Sequence, residues 1–415
     1  MRAHPTFNVL PEATSNLLIA GNSESYVESS PTSIKCVRMR RNSFAALWAV
    51  LLLLSPGARA DSDLFVDGAV WRIRLEVTSD DVRSLRNHPR EYVHATLREG
   101  TNILREVAVR LKGSTSFRSV DDKPSFTVNC DRFTDGQLFH GLSKIHLNNS
   151  VEDPSYLNEK LGSEMFSTAG LPAPRVSHAL VELNGRRLGF YVLKEGFAEE
   201  FLARHFRRAD GNLFEPQAGV APDVTGPMTR NSDDSAGDSR DLQRLATASA
   251  QDSGVRWKAL REILDLDRFV TFMAMEVLSG HRDGYCLARN NYRIYHDPAS
   301  GRFVFLPDGM DQLFGRADFP VEPHMAGVVA KAVLETDEGR QAYRKGLAQV
   351  FTNCFKVEAL VNRVHAWSGA IAPKLTRAEA RALRHEADDF CERIRQRAHY
   401  VRRQLAGPAL KPPDE

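Results

Sequence analysis

Between Ser279 and Gly315 the chain concentrates carboxylates and amides: HRDGYCLARNNYRIYHD, the apolar run FVFL, then PDGMDQLFG. Asp283 is followed by Asn290 and Asn291, and Asp308 and Asp311 stand just beyond the apolar run. These types suit phosphoryl transfer. One carboxylate orients an attacking hydroxyl, while an amide oxygen and further carboxylates hold a divalent cation against the phosphates. The reaction needs positioning and charge neutralisation more than covalent help, so few residue types suffice.

Such a set must be carried by elements that bring distant residues together. Trp71 to Val77, Val107 to Leu111 and Ser125 to Cys130 alternate as strands, with a short helix over Asp80 to Asn87. Lys112-Gly113-Ser114-Thr115-Ser116 is a small-residue turn. Asp153-Pro154 opens a helix whose apolar face is Leu157, Leu161, Met165 and Phe166. Ser177 to Leu183 and Arg187 to Lys194 form a hairpin through Asn184-Gly185, a pair that favours a type I′ turn, and deliver Glu195 at the strand end. Residues 216–241 are rich in Gly, Pro, Ser and Asp and read as a long mobile loop. A helix follows over Asp267 to Leu278, then strands over Tyr292 to Tyr295 and Phe303 to Leu306. The C-terminal part is helical: Thr376 and Glu379 form a capping box, and apolar residues from Leu383 to Leu405 recur at helical spacing with arginines on the wet face. The expected class is α+β, with a sheet-rich N-lobe over 61–195 and a mainly helical C-lobe over 196–407, the cleft between them being a natural nucleotide site.

The 415 residues carry a net charge of +2, which argues against an electrostatically driven nucleic-acid binder. Met39 to Ala60 reads as a secretory signal peptide: Arg40 and Arg41, an apolar core from Phe44 to Leu54, and an Ala58-Arg59-Ala60 cleavage site. The apolar run is short of the ~20 residues a spanning helix needs, so no stable transmembrane span is expected after cleavage. Residues 1–38 form a polar upstream extension and 408–415 a frayed tail. The expected location is exported: periplasmic, cell-surface or extracellular. That setting permits disulfides, and Cys354 and Cys391 are candidates to pair. No Cys-x-x-Cys spacing suggests zinc.

The segments VRLKGSTSFR, KPSFTVNCDRF, GLSKIHLNNSVEDPSYLNEKLGSEMF, GLPAPRVSHALVELNGRRLGFYVLKE, DGYCLARNNYRIYHD and FLPDGMDQLFG, in this order, resemble the spore-coat-protein-H (CotH) kinase-like family over roughly Val66 to Leu405. The resemblance implies an atypical, secreted protein-kinase-like fold, ATP with Mg²⁺ or Mn²⁺ as ligands, and phosphorylation of protein hydroxyls. It assigns Asp283 as the catalytic aspartate and Asn291, with Asn290 less directly, as the amide metal ligand. It assigns Lys123 as the lysine that neutralises nucleotide phosphates, with Glu159 or Glu164 as its ion-pair partner. The Gly113–Ser114 turn is similar to a phosphate-covering loop, and Glu195 to a hinge residue that meets adenine. Where the family has Pro-Trp-Asp-x-Asp, this chain reads Pro307-Asp308-Gly309-Met310-Asp311. Asp311 matches the second aspartate, Gly309 stands at the first, and Asp308 is the candidate substitute.

Three other outcomes remain open at this stage. A kinase-like protein with little catalysis, acting in surface or extracellular assembly, is favoured by Gly309. Transfer of AMP instead of phosphate keeps the same site, since fold does not fix chemistry. A carboxylate-pair hydrolase leaves the asparagines unexplained.

Overall fold

Strand β1 (Val70–Glu76) alternates as its sequence demands, with Ile73 and Leu75 fully buried and Arg72, Arg74 and Glu76 exposed in alternation with them. It opens a computed structural model that describes residues 63–216, 223–226, 228–230 and 240–406. The upstream extension, the signal peptide, the tail and most of the 216–241 stretch lie outside the described residues. Helix α1 (Ser79–Asn87) follows β1, capped by the Thr78 hydroxyl, which accepts the Asp81 N–H at 3.1 Å. Strands β2 (Val93–Glu99), β3 (Asn102–Lys112), β4 (Ser125–Asn129) and β5 (Lys144–Asn148) come next. Helix α2 (Asn158–Thr168) then precedes the hairpin of β6 (Val176–Leu183) and β7 (Arg186–Glu195). At its turn Asn184 and Gly185 both have positive φ, 49° and 80°, as a type I′ turn requires.

These seven strands close into a barrel in the order β1-β2-β3-β4-β5-β7-β6. Every pairing is antiparallel except β1 with β6, which is parallel. Closure removes the unpaired edges that an open sheet exposes. Inside lies one apolar cluster that includes Leu75, Leu97, Val109, Phe126, Ile145, Leu147, Tyr191 and Leu193. β2 and β5 are not among the strands expected above, although Val93, Ala95 and Leu97, and then Ile145 and Leu147, alternate with polar residues; the structure adds both.

Helix α2 begins four residues later than Pro154 suggests. Asp153 is buried and takes the N–H groups of Ser155 (3.0 Å) and Asn158 (2.9 Å), the Asn158 amide (2.6 Å) and the Ser155 hydroxyl. The chain is thereby folded into a turn, with Tyr156 at φ 57°, before the helix starts. Leu161, Met165 and Phe166 of α2 bury themselves in a second and larger cluster, with residues of the downstream helices.

That downstream part holds α3 (Glu199–His205), β8 (Asn212–Pro216), β9 (Met228–Arg230), α4 (Arg240–Ser249), α5 (Ser253–Ile263) and α6 (Leu266–Ser279). It continues with α7 (Tyr285–Ala288), β10 (Tyr292–Asp297), β11 (Arg302–Pro307), α8 (Val328–Leu334), α9 (Asp337–Asn353), α10 (Val357–Ile371) and α11 (Arg377–Ala406). The strands form a second sheet in the order β11-β10-β8-β9. Part of the stretch expected to be a mobile loop is thus ordered: Met228–Arg230 pairs with β8, and Asp223 is buried. The architecture is mixed α+β, and among the described residues no helix is long and apolar enough to cross a membrane.

Two expectations for the C-terminal helices are corrected. Cys354 and Cys391 are free thiols, as are Cys130 and Cys286. Arg397 of α11 is not on a wet face; it is fully buried. It donates to the carbonyls of Val277 (2.7 Å) and Leu278 (3.2 Å), satisfying the C-terminal end of α6, and to those of Ala317 (3.1 Å) and Phe319. The capping box forms as expected, with the Thr376 N–H on Glu379 at 2.8 Å.

Candidate functional site

One outer face of the barrel is polar yet out of water. Across β4, β5 and β7, Thr127 stands opposite His146, and His146 opposite Lys194; Lys112, at the end of β3, stands opposite Ser125. Thr127, His146 and Lys194 are all buried. The Lys194 ammonium donates to Glu159 Oε1 of α2 at 2.6 Å and to Asp308 Oδ1, just beyond β11. Arg293 of β10 donates to the other oxygen of Asp308 and, at 2.6 Å, to Glu215. Burial alone would raise the Asp308 carboxyl, but Arg293, Lys194 and Lys112 together hold it well below the usual carboxylate range. Burial would likewise lower the Lys194 amine, and Asp308 and Glu159 reverse that shift. For Lys112 burial wins and lowers the amine, although Asp308 opposes it. The Lys112 side chain makes no hydrogen bond or ion pair among the described residues.

The Asp283 loop is built by the end of α6. Gly280 adopts the left-handed conformation at φ 65° and stops the helix, and the His281 N–H returns to the Glu276 carbonyl at 2.8 Å. His281 is buried and its Nε2 lies 3.1 Å from the Asp308 carbonyl. Half-exposed Asp283 accepts from the side-chain amides of Asn290 (2.9 Å) and Asn291 (2.8 Å) on Oδ2. Asn291 also donates to the Gly309 carbonyl at 3.1 Å, and its own carbonyl accepts the Asp308 N–H at 3.0 Å. The adjacent asparagines therefore bind the loop to the end of β11.

Gly309 has φ 54°, and a Cβ there would come within 2.5 Å of the Asn291 side chain. The position where the family pattern has an aspartate is closed to side chains by both backbone and packing. Two residues on, burial pushes the Asp311 carboxyl up to about 7, with the charges of Glu159, Glu152 and Asp153 adding to the shift. Among the described residues no three His, Cys, Asp or Glu side chains are grouped to hold a metal ion. Magnesium does not require such a cage, since one or two carboxylates suffice when phosphates and waters complete the shell. Asp311, crowded by other acids, and the Asn291 amide oxygen, which accepts no hydrogen bond among the described residues, are oxygens of the type such a cation takes.

The structure thus joins Asp283, Asn290, Asn291, Asp308 and Glu159 through direct bonds, and sets Asp311 within electrostatic reach of Glu159. It does not pair Lys123 with Glu159. Lys123 donates to the Tyr156 hydroxyl at 2.8 Å and lies over the rings of Tyr156 and Tyr191, 5.0 and 5.2 Å from their centroids. Burial lowers its amine to about 8. Glu164 is bound instead to Arg363, at 2.6 Å. Glu195 is buried, its carboxylate taken by Arg175 (3.0 Å) and Arg204 and its N–H by the Arg175 carbonyl (2.9 Å). Gly113 follows Lys112 directly at φ 106°, and its carbonyl accepts from Arg90; Ser114 is exposed in the same turn. The lysine that meets Glu159 is Lys194, which sequence reasoning missed. Its signal was a lone cation ending the apolar run FYVL in a strand. Lys112, Arg293 and Glu276 were missed as well.

A mixed α+β chain with a lysine–glutamate pair beside an aspartate–asparagine loop defines a class of candidate phosphate-handling proteins. Comparison with known proteins places it more closely: residues 109–406 match the CotH kinase protein family, to which the chain belongs. The inner spore coat protein H of Bacillus subtilis is 24% identical over 303 residues, covering 66% of this chain and 82% of that protein. The invasin CotH2 of Rhizopus delemar is 22% identical over 262 residues, covering 55% of this chain and only 44% of the invasin. Among solved structures, the Helicobacter pylori proinflammatory kinase CtkA aligns at 8% identity over 70% of this chain and 96% of that one, with a TM-score of 0.33. A chain of the Shewanella oneidensis toxin–antitoxin complex of HipA, HipB and operator DNA aligns at 12% identity over 82% and 76%, also at 0.33. Likenesses at that score carry no argument about this fold.

Proposed function

We propose that this protein is an exported, two-lobed kinase-like enzyme that transfers the γ-phosphoryl group of ATP to hydroxyls of exported or cell-surface proteins. The observation that carries the reading is the bonded path from Asp283 through Asn291 to Gly309 and Asp308, and on through Lys194 to Glu159. It connects a proton acceptor, an amide, carboxylates and a buried cation within one site. The barrel and the helical part each have their own apolar cluster, which supports the two-lobed reading.

In this reading the half-exposed Asp283 orients the substrate hydroxyl and takes its proton as the oxygen attacks the γ-phosphorus and the bond to the ADP oxygen breaks. Asn290 and Asn291 fix the carboxylate's aim. Lys112 and Lys194 face the phosphates with positive charge, and Glu159 holds Lys194 in place. Asn291 and Asp311, with Asp308 the weaker candidate, would hold Mg²⁺ or Mn²⁺, which neutralises phosphate charge when bound. Gly113 and Ser114 form the turn beside Lys112. The printed descriptions of the relatives, a spore coat protein and an invasin, support a surface setting.

The test is the purified mature protein with labelled ATP and Mg²⁺ or Mn²⁺. Label incorporated into protein and abolished by Asp283→Ala is the expected outcome; nucleotide binding without transfer overturns it. A second reading, a kinase-like assembly protein with little catalysis, is favoured by one observation. Both oxygens of Asp308 are occupied by Lys194 and Arg293, and Gly309 cannot replace it.

A further inference from the structure

Glu276 of α6 is fully buried and takes no part in the transfer described above. Its Oε1 accepts the Tyr285 N–H at 2.9 Å and its Oε2 the Cys286 N–H at 2.7 Å. These are the first N–H groups of α7, which no intrahelical bond satisfies. The residue at the cap position is Gly284, which has no side chain to offer. An acid eight residues upstream supplies the cap instead. No cation pairs with it among the described residues, so an ionisable group is kept out of water at a cost that a local Ser or Asn cap would avoid. A Cβ on Gly284 would stand 2.4 Å from Glu276 Oε1, so glycine is what lets the carboxylate reach the turn. Tyr285 is also fixed at its far end. Its hydroxyl donates to Asp223 at 3.0 Å and accepts the Val329 N–H at 2.9 Å. Asp283 thus sits immediately before a backbone segment held from α6, from Asp223 and from the start of α8.

We propose that Glu276 is the positioning residue of the Asp283 loop: its carboxylate clamps the Gly284–Cys286 backbone and thereby sets where the Asp283 side chain points. The inference rests on the phosphotransfer reading of the site.

The test compares Glu276→Gln, which keeps the volume and one acceptor oxygen, with Glu276→Ala, in the full mature chain. Glu276→Gln is expected to keep the melting temperature within a few degrees and the KM for ATP within about twofold, while kcat falls about tenfold or more. The Cys286 amide is expected to exchange with solvent about tenfold faster in that variant, with the barrel amides unchanged. Glu276→Ala should lose more on both measures, with Gln acting as the partial rescue. A kcat within about twofold of wild type in Glu276→Gln overturns the proposal. So does a loss of kcat that only tracks a fall in melting temperature. Absence of transfer by the wild-type protein defeats the phosphotransfer reading separately. Amide exchange then decides for the clamp: unchanged Cys286 protection in Glu276→Gln sinks it, and selective loss over Asp283 to Cys286 upholds it.

Discussion

Lys194 of β7 and Glu159 of α2 meet at 2.6 Å with both side chains almost wholly out of water, and the same ammonium reaches Asp308. Glu159 and Asp308 therefore share this buried cation, and Asp308 has Arg293 besides. Removing one partner of a buried pair leaves an uncompensated charge, which costs about 3–5 kcal/mol. Lys194→Ala is expected to lower the unfolding free energy by about that amount in urea titration. Glu159→Gln should cost less, because Lys194 keeps Asp308. Equal losses in the two variants would show that the pair is not the centre of this network.

Asp283 is half-exposed and, among the described residues, is bound by two amides and no cation, so its removal leaves no buried charge unpaired. Asp283→Asn is expected to change the melting temperature little while cutting phosphotransfer by about 10²-fold or more, the range for loss of a positioned base. Transfer rates and thermal melts on the same preparation check both halves. A large drop in stability with retained transfer would assign the residue to structure alone.

Much of this frame was legible in the sequence because it rests on local signals. The alternation of β1, the Asn184-Gly185 turn and the Thr376 capping box all act within a few residues, and each forms as written. The Asp283–Asn291 association was legible for the same reason, being a contact across eight residues. What escaped depends on closure of the barrel. Lys194 meets Glu159 only because β7 pairs with β5 and α2 packs over that face, a contact across 35 residues of chain. Lys123 was the more conspicuous lysine, ahead of a strand, yet its side chain turns to the rings of Tyr156 and Tyr191. Arg397 looked like part of a solvated stripe because periodicity cannot show that α6 ends against α11.

Restoring the aspartate that the family pattern has at position 309 is expected to harm this protein. The φ of 54° disfavours any side chain, and the new Cβ would press on Asn291 at 2.5 Å. Gly309→Asp should cost at least about 1 kcal/mol from the backbone alone. Because Asn291 would be displaced from Asp283, phosphotransfer should fall as well. A variant that is both as stable and more active would show that the loop can rearrange to admit a second aspartate.

Acid should unfold the protein through its buried histidines. Burial pushes His178 and His281 down to about 4, from an ordinary value of 6.5. His146 is driven well below 6.5 by burial and by Lys112 and Lys194. An unfolded chain takes up the His178 and His281 protons near 6.5 and the folded chain refuses them until about 4. The stability they confer is therefore complete above 6.5 and is lost as pH falls through 4. For His178 and His281 the loss is on the order of 3 kcal/mol each. Glu276 acts in the opposite sense. Burial raises its carboxyl to about 7, so its contribution is complete below 4.5 and is lost as pH rises through 7. Asp311, raised to about 7, and buried Asp153, raised as well, act with Glu276, while His205, lowered to about 4, acts with the other histidines. Four histidines outweigh three carboxyls, and the unfolding midpoint in urea should fall steadily from pH 7 to pH 4.5. His281→Gln keeps a donor for the Asp308 carbonyl but cannot titrate, so its curve should be flatter than wild type over that window. Parallel curves for the two proteins would mean that His281 is protonated without cost, and that the buried contact with Asp308 is not maintained in solution.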